Sequence, residues 1–395
     1  MSGRIFPVFR HHAPGIRPGH RSDSQSGQGK RAMSPTSINV AVIGCGRIAG
    51  HHCRSIRAVD GIRLTAVCDL VADKAQAYGS EFAVPFYTDY RVMVRTHPEI
   101  DVVAVITPSG MHFEHAMEII GDFGKHVVVE KPTFMRPSQF IAARTLADKS
   151  GVQLFPVFQN RYNKAVRRVK HAIETGELGA IRIISVRTRW CRPQRYYDLA
   201  PWRGTFAQDG GCLTNQGIHH VDLLRHLGGE VERVNATMRT LGADIEVEDS
   251  VVATFTYPSG AIGNLEVTTA ARPDDFEASL SIVGEKGLAQ IGGIAVNELQ
   301  VFTPDPTACS EASEDFSSCV YGFGHEAMYR DIAASFHQGR PYPVAPADCL
   351  GSLRLLNAFY RADEAGGWVE AAAEDESPRL GRADDALAAL YQTPR

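Results

Sequence analysis

A glycine turn stands directly after a short apolar run and directly before a stretch of helical length: Gly44-Cys45-Gly46-Arg47-Ile48-Ala49 follows residues 38–43 and opens residues 50–59. Alone, such a G-x-G-x-x-A element occurs by chance in many loops; its position between a strand and a helix is what points to a unit built to receive a pyrophosphate. The first glycine permits the tight turn, the second lets phosphates approach the backbone, and Ala49 lets helix and strand pack closely. The helix N-terminus then faces the phosphates. A second apolar run ends in Val67-Cys68-Asp69, 25 residues after Gly44. That spacing puts a carboxylate where an adenosine ribose presents its two hydroxyls. Gly44, Gly46, Arg47, Ile48 and Asp69 are therefore candidate cofactor contacts. Because the carboxylate repels a 2′-phosphate, NAD(H) is expected rather than NADP(H). The alternative for Asp69 is a solvated acid at a strand end.

The same alternation continues to residue 158. Nearly continuous apolar runs at 38–43, 62–68, 101–107, 126–129 and 152–158 alternate with helical stretches at 50–59, 71–82, 111–123 and 138–149. Runs of that kind are parallel strands covered on both faces, so residues 37–158 predict a doubly wound α/β domain of the Rossmann type. After a helix at 163–175 the pattern changes to strand after strand, at 181–190, 231–241, 250–257, 261–268, 277–283 and 288–291, separated by Gly, Pro and Asp turns. Residues 159–368 thus predict an α+β domain with a large, mostly antiparallel sheet, closed by helices at 324–337 and 347–364. The acidic, Ala-rich tail at 369–395 carries too little patterning to interpret.

Composition narrows the setting. Hydrophobic residues make up 44% and charged residues 22% of 395, which excludes a disordered or coiled-coil chain. No apolar run approaches the 18 or more residues that a membrane helix needs. The net charge of −4 divides into +5 over residues 1–36 and −9 over the rest, so the body is not expected to bind nucleic acid. The eight cysteines are scattered without a C-x-x-C pair, which fits a reducing cytoplasm, and no metal is expected. Residues 1–36 are poor in acids and read as a disordered extension. A transit peptide is the functional alternative, and Pro7, Pro14 and Pro18 argue against its helix. Met33 makes a natural start just before the first strand, with residues 1–32 an upstream extension.

Ligands of doubly wound sheets lie beyond the carboxyl ends of the strands. Thr107-Pro108-Ser109 with His112, and Glu130-Lys131-Pro132, stand at two such ends. They join the candidate cofactor contacts, and the Lys131 ammonium is placed to steady an oxyanion beside the cofactor. Downstream, Gly210-Gly211 feed a helix carrying Asn215, His219 and, three residues later on the same face, Asp222. In isolation His219 reads as a core histidine bonded to Asp222, and His220 and His226 keep that plainer reading.

Glu-Lys-Pro together with the segment from Asn215 through His219 to Asp222 resembles the Gfo/Idh/MocA family of sugar dehydrogenases, over about residues 37–366. The resemblance implies that Lys131 and His219 are catalytic and that the peptide before Pro132 is cis. One position departs from it: the first aspartate of the family's segment is Asn215 here. An amide holds a hydroxyl but cannot take its proton, which leaves His219 as the base.

Residues 181–203 hold Arg182, Arg187, Arg189, Arg192, Arg195 and Arg203 against one acid, Asp198, with Tyr196, Tyr197 and Trp202 interleaved. Guanidinium forks in an otherwise acidic body point to an anionic ligand, although Arg182 and Arg187 fit an outward strand face. Gln159-Asn160-Arg161-Tyr162-Asn163, Trp202-Arg203-Gly204-Thr205 and Gly322-Phe323-Gly324-His325 sharpen the resemblance toward the branch that oxidises UDP-N-acetylglucosaminuronate at C3 in O-antigen synthesis. That branch implies a UDP-sugar substrate bordered by Arg161, Asn215 and His219, with Tyr196, Tyr197 and Arg203 as weaker candidates. It further implies tightly held NAD(H), 2-oxoglutarate as a recycling partner in some members, and a homodimer or homotetramer joined through the open sheet. Two alternatives stay open: a dehydrogenase of the same family acting on inositol, a free sugar or another nucleotide sugar, and a non-catalytic NAD-dependent regulator.

Overall fold

The computed structural model describes residues 37–317 and 321–392. The expectations for residues 1–36, the start at Met33 among them, lie outside the described residues, as does Cys319. No helix among the described residues is long and apolar enough to cross a membrane.

Six strands build a wholly parallel sheet: β1 (Ile38–Ile43), β2 (Ile62–Cys68), β3 (Phe86–Tyr87), β4 (Val102–Val105), β5 (His126–Val129) and β6 (Leu154–Pro156), in the order β3-β2-β1-β4-β5-β6. Side chains alternate across a strand, so Val40 and Val42 of β1 pack with Ala49, Cys53 and Ile56 on one face. Ala41 and Ile43 pack with Ala116 and Ile119 on the other. Strand order reverses between β1 and β4, which opens a crevice at their carboxyl ends. A much later helix, Gly324–Gln338, returns to this domain and buries Met328, Tyr329 and Ile332 in the layer of Val40 and Ile56.

The remaining strands are β7 (Ile181–Arg189), β8 (Arg233–Arg239), β9 (Ser250–Thr256), β10 (Ile262–Thr268), β11 (Glu277–Gly284), β12 (Leu288–Gly292), β13 (Glu298–Phe302) and β14 (Val369–Glu370), in the order β13-β12-β11-β7-β10-β9-β8-β14. β7 and β10 run parallel; the other pairs are antiparallel. Ile184, Val186, Phe255, Leu265 and Leu280 point inward, against Leu224 of the helix Ile218–Gly228 and Leu353, Leu356 and Phe359 of the helix Pro346–Ala365. Three strands and four short helices, Tyr90–Thr96, Gln194–Tyr197, Ala308–Glu311 and Asp385–Ala389, were not anticipated. Two-residue β3 and β14 carry no periodicity to read, and β13 is only five residues long. The helix Tyr90–Thr96 did offer a signal, since the Asp89 carboxylate caps it by accepting from Arg91 N.

The chain after β14 is packed rather than loose. Leu380 is fully buried, and Gly381 exchanges backbone hydrogen bonds with Phe206 and the Arg136 side chain. The Glu376 carboxylate accepts from Ser138 N at 2.6 Å, at the N-terminus of the helix Pro137–Ser150. Deleting a buried leucine side chain costs about 2–5 kcal/mol, so Leu380→Ala should lower stability by about 3 kcal/mol in urea unfolding. A change under about 0.5 kcal/mol would mean that this segment contributes no packing.

Gly210 and Gly211 turn the chain into the helix Gly211–Asn215 with φ of +77° and +81°. A Cβ on Gly211 would lie 2.2 Å from the Glu248 carboxylate beneath it. That carboxyl is buried, accepts from Leu213 N (3.1 Å) and Tyr360 Oη (2.8 Å), and burial pushes it up to about 8. Between its ordinary 4.5 and about 8 the folded chain keeps a proton that the unfolded chain releases, so this group's contribution to stability is lost as pH rises through that window. Glu248→Gln cannot ionise. Its Tm should match that of the parent near pH 5 and exceed it by about 5 °C at pH 8; parallel Tm curves would refute the assignment.

Candidate active site

The nucleotide turn is built as its sequence requires. Gly44 has φ +94°, and a Cβ there would stand 2.4 Å from Ile106 O, just past the end of β4. At Gly46 the equivalent space is open, so the backbone can be approached. No side chain caps the helix Ala49–Ala58, and its first turn carries no acid, which suits a phosphate group there. Asp69 accepts from Cys45 N and Val71 N, both at 2.8 Å, which ties the end of β2 to the turn and leaves the carboxylate half-exposed. Arg47 is exposed beside the turn, and Ile48 is half-buried at the start of the helix. The residues fit a dinucleotide.

At the end of β4, Thr107 Oγ1 lies 3.0 Å from His115 Nδ1, and Ser109 is buried in the turn Ser109–Met111. His112 faces inward: Nδ1 lies 2.9 Å from Pro132 O and Nε2 2.9 Å from Thr107 O. Both ring atoms are thus committed to the two loops that flank the crevice, so His112 braces them rather than offering an atom to a ligand. Burial lowers its pKa against the pull of those carbonyls.

Glu130 is buried, and each oxygen has its own task. Oε2 accepts from Lys131 N at 2.8 Å, while Oε1 lies 3.0 Å from His52 Nε2 and 3.3 Å from His325 Nε2. Burial alone would raise this carboxyl; the bonds from His325 and His52 hold it well below its usual range. The Lys131-Pro132 peptide is cis. Lys131 Nζ donates to Asn215 O at 2.9 Å. Burial lowers its pKa, with Glu130 and Asp209 opposing and Arg203 and Arg192 adding to the shift. The three donor atoms of His52, Glu130 and His325 lie within 4.8 Å of one another, a spacing that a metal also accepts. In the structure they form a hydrogen-bonded cluster.

His219 does not bond Asp222. Its Nε2 lies 3.0 Å from Gln159 Nε2, and burial followed by the Lys131 charge lowers its pKa well below 6.5, so the ring is neutral. Gln159 Oε1 and His219 Nδ1 are both buried without a partner. Turning the amide end for end satisfies Oε1 with Nε2–H and frees the Nδ1 lone pair. Arg161, expected at the sugar, is instead taken up by protein. Nε and Nη2 donate to the two oxygens of Asp222 at 2.7 Å each, and Nη1 donates to Asp348 at 2.9 Å. Ser352 Oγ adds a bond to Asp222 Oδ1 at 2.9 Å. This fork fixes the His219 helix from beneath.

Asn215 is half-buried beside Lys131, and its amide donates to Asp209, a carboxylate that the sequence reading passed over. Arg192, Tyr196 and Arg203 join the same neighbourhood as alternating cations and rings. Arg192 lies 5.4 Å from the Trp190 ring and 5.6 Å from Tyr196, and Arg203 lies 4.3 Å from Tyr196 and 4.5 Å from Trp202. Arg203 also donates to Tyr196 Oη, while its buried Nε has no partner. Two neighbours do not belong here. Tyr197 is buried, with Oη 3.0 Å from Thr269 Oγ1, because the short helix Gln194–Tyr197 turns adjacent side chains apart. Arg189 lies on the outward face of β7 and pairs with Glu266 and Glu277. The residues missed were Gln159, Asp209, His52 and His325; of these, only Gln159 and His325 stood inside motifs that had drawn notice.

The profile of the oxidoreductase family with an NAD-binding Rossmann fold, Gfo/Idh/MocA, matches residues 38–158, and that of the Gfo/Idh/MocA C-terminal domain matches residues 166–290. The WlbA dehydrogenase from Bordetella pertussis, solved in complex with NADH and UDP-GlcNAcA, is 36% identical with a TM-score of 0.80, over 86% of this chain and 99% of that one. Its counterpart from Chromobacterium violaceum, with the same two ligands, is 35% identical with a TM-score of 0.77, over 86% and 98%. D-glucoside 3-dehydrogenase of Escherichia coli is 30% identical over 86% of this chain and 99% of its own length. The chain belongs to the Gfo/Idh/MocA family and is an NAD-dependent oxidoreductase.

Proposed function

We propose that this enzyme oxidises a secondary hydroxyl of a sugar, C3 of UDP-N-acetylglucosaminuronate, with Lys131 and His219 as its catalytic residues. The observation that carries the reading is the meeting, at the carboxyl edge of the parallel sheet, of a buried ammonium, a neutral imidazole and an unpaired guanidinium edge. Likeness to the two WlbA dehydrogenases, which bind NADH and UDP-GlcNAcA, supports the choice of substrate.

Gly44, Gly46, Arg47, Ile48 and Asp69 would hold NAD, with Thr107, Ser109 and the backbone beside Glu130 closing the crevice; when bound it would supply the hydride acceptor. His219, kept neutral by burial and by the Lys131 charge, takes the hydroxyl proton at Nδ1. Lys131 spends one N–H on Asn215 O and directs the others at the developing oxyanion, where a poorly solvated ammonium is most effective. Asn215 orients the hydroxyl, and Arg203 with Tyr196 receives the anionic groups. Arg161 and Tyr197 act from behind the site, without touching the sugar. Exposed Val252, Ile262 and Phe276 mark the outer face of the second sheet as the surface for self-association.

Lys131→Met and His219→Asn should each reduce turnover by about 10²- to 10⁴-fold with little change in NAD affinity. Turnover within threefold of the parent would remove that residue from the mechanism.

The second reading is a sugar without a nucleotide, which the D-glucoside 3-dehydrogenase favours. Single-turnover NAD reduction, followed at 340 nm, should be compared for UDP-N-acetylglucosaminuronate, UDP-N-acetylglucosamine, a D-glucoside and myo-inositol. The uronate should exceed the uncharged UDP-sugar by at least about tenfold in kcat/KM, since losing a charge-assisted hydrogen bond costs about 1.5–3 kcal/mol. A faster glucoside or inositol would overturn the nucleotide-sugar assignment. No redox change with any of them, and none altered by Lys131→Met, would point to a regulator.

A further inference from the structure

Asn215 is held at both ends. Its backbone carbonyl accepts from Lys131 Nζ, and its side-chain amide donates to Asp209 Oδ1. An ionised carboxylate can only accept, so Asp209 dictates which end of that amide faces it. Nδ2 points at Asp209, and Oδ1, to which nothing among the described residues donates, is left on the other side. Asp209 in turn is fixed from behind. It is 1% exposed, its Oδ2 accepts from Gly204 N at 2.8 Å, and its own N–H bonds Thr205 O at 3.0 Å. Gly210 and Gly211, both at positive φ, follow directly and carry the chain on toward Asn215.

The charges around Lys131 are few. Glu130 and Asp209 favour its ammonium, and Arg203 and Arg192 oppose it; His219, His112 and His325 face it as rings whose pKa burial lowers. Glu130 is occupied by two rings and a backbone N–H, and Asp209 adds the second carboxylate on the lysine side; burial raises the Asp209 carboxyl, while the bonds from Gly204 N and Asn215 and the charges of Arg203 and Lys131 oppose the rise. The cations facing Asp209 are Lys131 and Arg203, with Tyr196 also close by.

We infer that Asp209 is a positioning residue for the oxidation: its carboxylate turns the Asn215 carbonyl oxygen toward the substrate hydroxyl and supplies the negative charge that keeps Lys131 an ammonium. The inference rests on the function proposed above. It adds a residue that touches neither sugar nor cofactor and acts through two that do.

The experiment is a pair of pH profiles, from pH 6 to 10, for the full-length NAD-loaded enzyme and Asp209→Asn. The asparagine keeps the size and the Gly204 contact but removes the charge. Turnover should fall about 10- to 100-fold with NAD affinity unchanged, and the alkaline limb, where Lys131 loses its proton, should move down by about 1 pH unit. Asp209→Ser, which still offers Gly204 an oxygen, gives the same reading if the asparagine variant does not fold. The double exchange, Asp209→Asn with Asn215→Asp, returns a carboxylate to the pair and should return the limb to within about 0.3 unit of the parent. An alkaline limb that stays in place in the uncharged variants, whatever happens to turnover, overturns the inference; so does a limb that stays low in the exchange. If UDP-N-acetylglucosaminuronate is not oxidised, the reading of function falls by itself, and these profiles are taken with whichever sugar the parent enzyme oxidises.

Discussion

The Glu130 carboxylate joins three distant parts of the chain, and the crevice depends on that junction. One oxygen holds the backbone of Lys131; the other faces His52, from the helix that begins at the nucleotide turn, and His325, from the helix that returns after the second sheet. His52 is steadied in turn by Tyr329 Oη, 2.9 Å from Nδ1. A buried carboxylate without partners would be costly, and removing one partner from a buried charged network typically costs 3–5 kcal/mol. The network therefore fixes geometry more than it adds stability: Lys131 cannot shift without disturbing the helix at the pyrophosphate position. The same carboxylate thus ties the backbone of Lys131 to the helix that follows the glycine turn.

A second buried charge fixes the other half of the site. The Arg161–Asp222 fork lies one helical turn from His219 and reaches Asp348 and Ser352 on the long C-terminal helix. Rigidity of this kind matters because effective hydride and proton transfer require the reacting atoms to be held at near-contact distance. The Arg161 guanidinium is thus committed to the scaffold. Under the proposed reading Arg203, stacked on Tyr196 with its Nε unpartnered, remains for the anionic groups, whereas Arg192 pairs with Asp275.

Most of the fold was legible because its signals are local. β1, the turn and the first helix follow from three glycine-rich positions and a run of apolar residues, and the switch from covered parallel strands to turn-separated antiparallel ones is visible in periodicity. Lys131, Asn215 and His219 were also legible, through motif wording. What escaped was long-range. Nothing near Glu130 in sequence announces His325, 195 residues on. The resemblance places Arg161 at the sugar, and its partner Asp222, 61 residues away, gives no local sign that the guanidinium is taken up. Tyr197 failed for a local reason, since adjacent residues on a helical turn point about 100° apart and only one of the two tyrosines can face the crevice. Leu380 lay in a segment with no pattern, where a single buried side chain leaves no periodic trace.

The electrostatics of the site follow from one low-dielectric pocket acting on two groups of opposite requirement. Burial pushes both Lys131 and His219 toward their neutral forms. For the imidazole this is useful, because a base must be free of its proton, and the neighbouring ammonium reinforces the effect. For the ammonium it is harmful, because an uncharged amine loses the field that stabilises an oxyanion. The starting pKa values decide the outcome: a lysine near 10.5 can lose several units and stay protonated at neutral pH, whereas a histidine near 6.5 loses its proton after a small shift. Under the proposed mechanism the same burial sorts the pair into an ammonium and a free base. Carboxylates are needed only on the lysine side, which is where Glu130 and Asp209 stand.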